Sequence, residues 1–90
     1  MDLTRFKEKR VSEEIHQIES AVFRRLVKHL RDNTAIQNID IMETAGFCRN
    51  CLSRWYREEA KEIGVEISED DSKEIIYGMN YQEWKKKFQK

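Results

Sequence analysis

Cys48 and Cys51 are the only cysteines of the chain and sit three positions apart in the run Gly46-Phe47-Cys48-Arg49-Asn50-Cys51-Leu52-Ser53-Arg54-Trp55-Tyr56. Residues three apart share a helix face, so both sulfurs can be aimed at one point. Metal binding is the first chemistry this allows, with zinc or iron as the ion. It needs further ligands, for which the sequence offers His29, with Asp40, Glu43 or Glu59 as oxygen donors. No second Cys-x-x-Cys follows, so two copies sharing their cysteine pairs would complete a four-thiolate site more simply. A redox dithiol is the second chemistry, and it is favoured where a cysteine lies at a helix N-terminus, as Cys48 would if a helix restarts after Gly46. A covalent nucleophile is the third, with only His16 and His29 as possible bases and no accompanying acid or serine constellation. Against all three stands packing, since free cysteine is among the residue types most often buried.

The same block carries a second candidate surface. On a helix through it, Cys48, Cys51, Leu52, Trp55 and Tyr56 share one face, and Arg49, Asn50, Ser53, Arg54 and Arg57 point away. Such a polar face can bind a partner, and Arg49, Arg54 and Arg57 are its most distinctive side chains. It can also be read as the second helix of a helix-turn-helix, with Arg49, Asn50 and Ser53 at base edges and Arg54 and Arg57 at phosphates. The acids Glu58, Glu59 and Glu62 in the following turns oppose that reading.

The elements that must position these residues are helices. Proline is absent and glycine occurs three times, at Gly46, Gly64 and Gly78. A first helix from about Ser12 to Arg31 puts Ile15, Ile18, Val22, Leu26 and Leu30 on one stripe, widened by Phe23 and Val27, with His29 inside it. A short helix capped by Asn38 or Asp40 ends at Ala45, before Gly46. The cysteine helix then runs to Ile63 and stops at Gly64. Ser68 caps a fourth helix whose first turn holds Glu69, Asp70 and Asp71, and Asn80 caps a fifth that carries Tyr81, Trp84 and Phe88. Trp55, Tyr56, Tyr77, Tyr81, Trp84 and Phe88 fit a core better than a ligand pocket.

Totals bound the function. Ninety residues make one small domain, and 39% hydrophobic against 38% charged residues leave little apolar area for a stand-alone monomer. Association with a second copy follows as an expectation. Seventeen basic and seventeen acidic residues give zero net charge, which removes the electrostatic case for nucleic acid or a membrane surface. The amino-terminal residues carry no apolar stretch of signal-peptide type, and no apolar run is long enough to span a bilayer. A cytoplasmic location is therefore expected, where a Cys48–Cys51 disulfide would be transient at most.

Between about Ala21 and Phe88 the chain reads Ala-Val-Phe-Arg-Arg-Leu-Val, Gln-Asn-Ile-Asp, the cysteine block, Ile-Tyr-Gly-Met and Glu-Trp-Lys. This resembles the short bacterial proteins of Domain of Unknown Function family 1244. The resemblance implies a small all-helical fold and no particular activity. Asn80 stands where the family pattern would have proline after Gly-Met, a departure confined to one turn.

The sequence thus predicts an all-α bundle or array of four or five helices over residues 12–90, behind a loosely ordered arm of residues 1–11. Its two longest helices would lie antiparallel and bury Leu26, Leu30, Leu52 and Trp55. The expected function is that of a non-enzymatic interaction or regulatory module without a cofactor, with metal binding through Cys48, Cys51 and His29 as the alternative and DNA binding behind it.

Overall fold

A computed structural model describes residues 9–90, with side chains from Ser12 onward; residues 1–8, most of the expected arm, lie outside it. The chain forms five helices, α1 (Lys9–Asp32), α2 (Asn38–Ala45), α3 (Arg49–Glu62), α4 (Glu69–Tyr77) and α5 (Tyr81–Phe88), and no strand among the described residues. The first helix begins ahead of Ser12, the expected cap.

The helix ends follow local chemistry. The Ser68 hydroxyl accepts from the Asp71 amide, and Asn80 Oδ1 accepts from the amides of Gln82 and Glu83, satisfying donors that the first turns of α4 and α5 leave open. Gly46 and Gly78 close α2 and α4 in the left-handed conformation, at φ 78° and 77°, a region that costs glycine nothing. At Gly78 the choice is also steric, because a Cβ there would lie 2.8 Å from Arg31 Cδ.

Packing centres on α4, which meets α3, α1 and α5. Small residues make the closest approach possible: Ser53 and Ala60 of α3 and Ser72 of α4 are all buried. Both serines return their hydroxyl to a carbonyl three residues back, Ser53 to Asn50 and Ser72 to Glu69, so neither is left unsatisfied. Around this contact lie Val27, Leu30, Leu52, Ile76, Tyr77 and Trp84, with Phe23, Ile75, Met79 and Phe88 packed against them.

Two expectations about the core are corrected. Leu30 and Leu52 are buried, but Leu26 is 36% and Trp55 43% exposed. The reason on α1 is that it has two apolar faces about 100° apart around the helix. Phe23, Val27 and Leu30 enter the core, whereas Ile18, Val22 and Leu26 stay in solvent. On α3 the buried residues are Arg49, Leu52, Ser53 and Ala60, so the helix is turned away from the face its cysteines and tryptophan suggest. The pairing expected between α1 and α3 is reduced to their edges, where the Phe23 and Tyr56 rings stack at 5.9 Å.

The Cα radius of gyration is 15.3 Å, with extents of 47 × 29 × 20 Å. A compact chain of this length would have a radius near 12 Å. The excess comes from α1, which is about 36 Å long at 1.5 Å per residue and has no buried side chain from Ser12 through Leu26.

Candidate functional site

The cysteines mark the start of α3. Cys48 is the residue before the first turn, in extended conformation and buried, and Cys51 is half-buried one turn later. Their sulfurs are 3.8 Å apart. Beside them Phe47 tilts against Trp55, with ring centroids at 5.8 Å. His29 is exposed on α1, and among the described residues no three His, Cys, Asp or Glu side chains gather in a way that could hold a metal ion. The structure therefore brings together the two sulfurs without the histidine.

Arg49 reverses its expected place. It is 1% exposed, among the most buried side chains of the protein. Its guanidinium donates to the carbonyls of Ile36 at 2.7 Å, Asn33 at 2.9 Å and Leu30 at 3.3 Å, and to Asn38 Oδ1 at 3.1 Å. It also lies 5.0 Å over the Trp84 ring. No carboxylate pairs with it among the described residues. What balances the charge is the carboxyl end of α1, where Leu30 and the turn after it present carbonyls with the negative end of the helix dipole behind them. Burial still lowers the Arg49 pKa from its ordinary value, opposed by favourable interactions with Tyr77 and Cys48. Burial of Arg49 and Ser53 also removes two of the three side chains that a helix-turn-helix would set against base edges.

A polar chain continues from this arginine. Asn38 Nδ2 donates to the Tyr77 hydroxyl at 3.0 Å, Tyr77 donates to Asn50 Oδ1 at 2.6 Å, and Asn50 Nδ2 reaches the Tyr81 hydroxyl at 3.4 Å. Burial raises the Tyr77 pKa well above the ordinary phenol value, more than the Asn38 hydrogen bond lowers it. Because the folded value is the higher one, the folded state holds the phenolic proton more tightly than the unfolded chain. That stability is fully present below the unfolded tyrosine pKa of about 10 and is lost as pH rises through the folded value. Urea midpoints should accordingly fall steadily above a pH of about 10, and the fall should be shallower in Tyr77→Phe. Equal slopes in the two proteins would show that Tyr77 does not govern the alkaline limit.

The other two arginines of the expected face are at the surface, each in an ion pair: Arg54 with Glu58 at 3.3 Å and Arg57 with Glu69 at 3.8 Å. Exposed pairs of this kind contribute at most about 1 kcal/mol. A larger feature lies on the other flank of α3. Between α1 and α3 runs an open groove of ≈ 920 Å³, floored by Phe23, Val27, Leu52 and Ala60 and edged by Trp55, Ile63 and Val65. Ile63 is 80% and Val65 45% exposed. Arg24, Lys28 and Arg31 form its rim on the α1 side, with Glu19 and Glu59 as its acids. Sequence reasoning missed the groove, although Ile63, Val65 and Ile67 around Gly64 were a visible apolar cluster in a linker.

The fold is thus that of a small all-α protein whose interior is organised around a cation held by backbone carbonyls. Residues 36–90 match the family model described as "Protein of unknown function (DUF1244)", and the chain belongs to that family. The matched region runs from the turn before α2 through α5 and includes Arg49, Asn38 and the Ile36 carbonyl, whereas the Leu30 and Asn33 carbonyls that also accept from Arg49 lie ahead of it. Comparison with curated proteins gives no match.

Proposed function

We propose that the protein is a non-enzymatic, cytoplasmic interaction module, a single helical domain that docks an amphipathic helix of a partner protein in the groove between α1 and α3. The observation that carries this reading is the apolar floor left open between two helices, with Trp55 and Ile63 exposed at its edge. A groove of this form accepts the apolar face of a helix, read at positions about three and four apart. The basic rim of Arg24, Lys28 and Arg31 selects a partner with acidic flanks. Arg54 and Arg57 lie outside the groove lining and would add polar contacts on the far flank of α3. A benzophenone side chain at position 63 should give a discrete cross-linked partner in cells. That partner, purified, should bind one to one, at least tenfold more weakly after Trp55→Ala. Unchanged affinity in Trp55→Ala and Arg24→Glu would rule the groove out.

The sulfur pair supports a second reading, metal binding by Cys48 and Cys51 with zinc or iron as the ion. The remaining ligands would then come from a second copy. Elemental analysis of untagged protein should find at least half an equivalent of metal, lost in Cys48→Ser; less than a tenth of an equivalent sinks this reading.

A further inference from the structure

We propose that Cys48 and Cys51 are a reversible dithiol, a site at which hydrogen peroxide converts two thiols into one intramolecular disulfide. This chemistry does not depend on how the groove is used, and it takes the sulfurs of the metal reading as reacting atoms instead of ligands. The two sulfurs are already in contact at 3.8 Å, so a disulfide bond of about 2.05 Å asks them to approach by about 1.8 Å. Cys48 precedes the first turn of α3 in extended conformation, and its side chain caps no amide of that helix. No hydrogen bond to the helix start therefore opposes the turn of its sulfur toward Cys51. What keeps the sulfurs together is the spacer between them. Arg49 is fastened to the carbonyls of Leu30, Asn33 and Ile36, and Asn50 accepts from Tyr77 at 2.6 Å and donates to Tyr81 at 3.4 Å. The Leu52 amide closes the turn on the Cys48 carbonyl at 3.0 Å. Both spacer side chains are tied to other parts of the fold, so the backbone carrying the cysteines is held before any bond forms between them. Such preorganisation raises the effective concentration of one thiol at the other.

Exposure assigns the order of events. Cys48 is 7% exposed and Cys51 is half-buried, so peroxide meets Cys51 first. The first turn of α3 carries no acidic side chain that would repel an anionic sulfur. The Cys51 thiolate attacks one peroxide oxygen, the O–O bond breaks, and the sulfur becomes a sulfenic acid as hydroxide departs. The Cys48 thiolate then attacks the Cys51 sulfur and expels the remaining oxygen as a second hydroxide. The two protons given up by the thiols leave with the two hydroxides as water. The sulfurs have lost two electrons, the peroxide has gained them, and one S–S bond stands in place of two S–H bonds. A reduced dithiol restores the pair by thiol–disulfide exchange. A disulfide formed and removed in this way is the transient kind that a reducing compartment allows.

The full chain, reduced, freed of reductant and treated with a small excess of hydrogen peroxide, should lose both free thiols and two hydrogens in mass. It should remain a single chain on non-reducing electrophoresis, and dithiothreitol should restore both thiols. Cys48→Ser should stop at a sulfenic acid that dimedone labels, whereas Cys51→Ser should react roughly tenfold more slowly. In glutathione buffers the disulfide should be roughly tenfold harder to reduce in the folded chain than in urea, because a fold that holds the sulfurs together favours their bond. Thiols that persist, a sulfinic acid as the main product or a link between chains overturns the proposal, as does a disulfide no harder to reduce when folded. A Cys51→Ser chain that reacts as fast as Cys48→Ser overturns the order of attack. Elemental analysis decides the metal reading and cross-linking from position 63 the groove, so each can fail without the others.

Discussion

Replacing Arg49 with alanine should cost about 3–5 kcal/mol of folding stability, the effect of removing the donor from several buried acceptors at once. The three carbonyls and the Asn38 amide oxygen that now accept from it have no other charged donor within the site. Against a total stability of about 5–15 kcal/mol for a native domain, the variant sits close to its unfolding threshold. Lysine should not rescue it. An ammonium delivers its donors from one point and cannot span carbonyls on α1 and on the turn beyond it, as the planar fork does. We expect Arg49→Lys to retain less than half of the lost stability. Urea titrations followed by circular dichroism provide the measurement, and an Arg49→Ala loss below about 1 kcal/mol would mean that water replaces the guanidinium at little cost.

Trp84→Ala should be comparably damaging, at about 3–5 kcal/mol, for a different reason. Trp84 is 1% exposed and fills the space between Tyr77, Phe88 and Arg49, with ring centroids 4.9 Å from Tyr77 and 5.8 Å from Phe88. Its removal opens a cavity that α5, eight residues long, has little other means to close. The two sites are coupled through the guanidinium lying over the indole. A double-mutant cycle of Arg49→Ala with Trp84→Ala should therefore return an interaction of about 0.5–2 kcal/mol. A cycle that closes to zero would show that the stacking is proximity without energy.

The positions of the helices were legible from the sequence because their ends are written in local chemistry. Gly46 and Gly64 stop helices, and Ser68 and Asn80 start them, through interactions within a few residues. What each helix faces was less legible. Periodicity on α1 finds one broad apolar stripe but not where it divides, since Phe23, Val27 and Leu30 enter the core while Ile18, Val22 and Leu26 stay exposed. On α3 the rule that charge points outward fails at Arg49, whose counter-charge is a helix end and not a side chain. Helix ends carry no letter in the sequence. The signal that was present is the small residues: Ser53, Ala60 and Ser72 mark where two backbones come close, and Arg49 lies one turn before Ser53 on the same face. The two sulfurs lie side by side, as their spacing implies, whereas His29 is exposed on α1 and no metal-holding group of three gathers among the described residues.

Nothing in α2 is buried: Ile39 is 62% and Met42 37% exposed. The helix is held by Ile41, which packs partly buried against the core, by Asn38 at Arg49 and Tyr77, and by Gln37 just ahead of it, whose side chain donates to the Phe88 carbonyl and accepts from the Lys90 amide. An element with no fully buried side chain, one partly buried apolar contact and polar contacts at one end is a unit of low local stability, able to detach while α3, α4 and α5 remain folded. Its amide hydrogens should exchange with solvent by that partial opening, and those of α4 only when the whole domain unfolds. Displacing residues 88–90 would release the Gln37 fastening. Phe88 and Lys90 thereby bear on the opening of α2 from some fifty positions away along the chain.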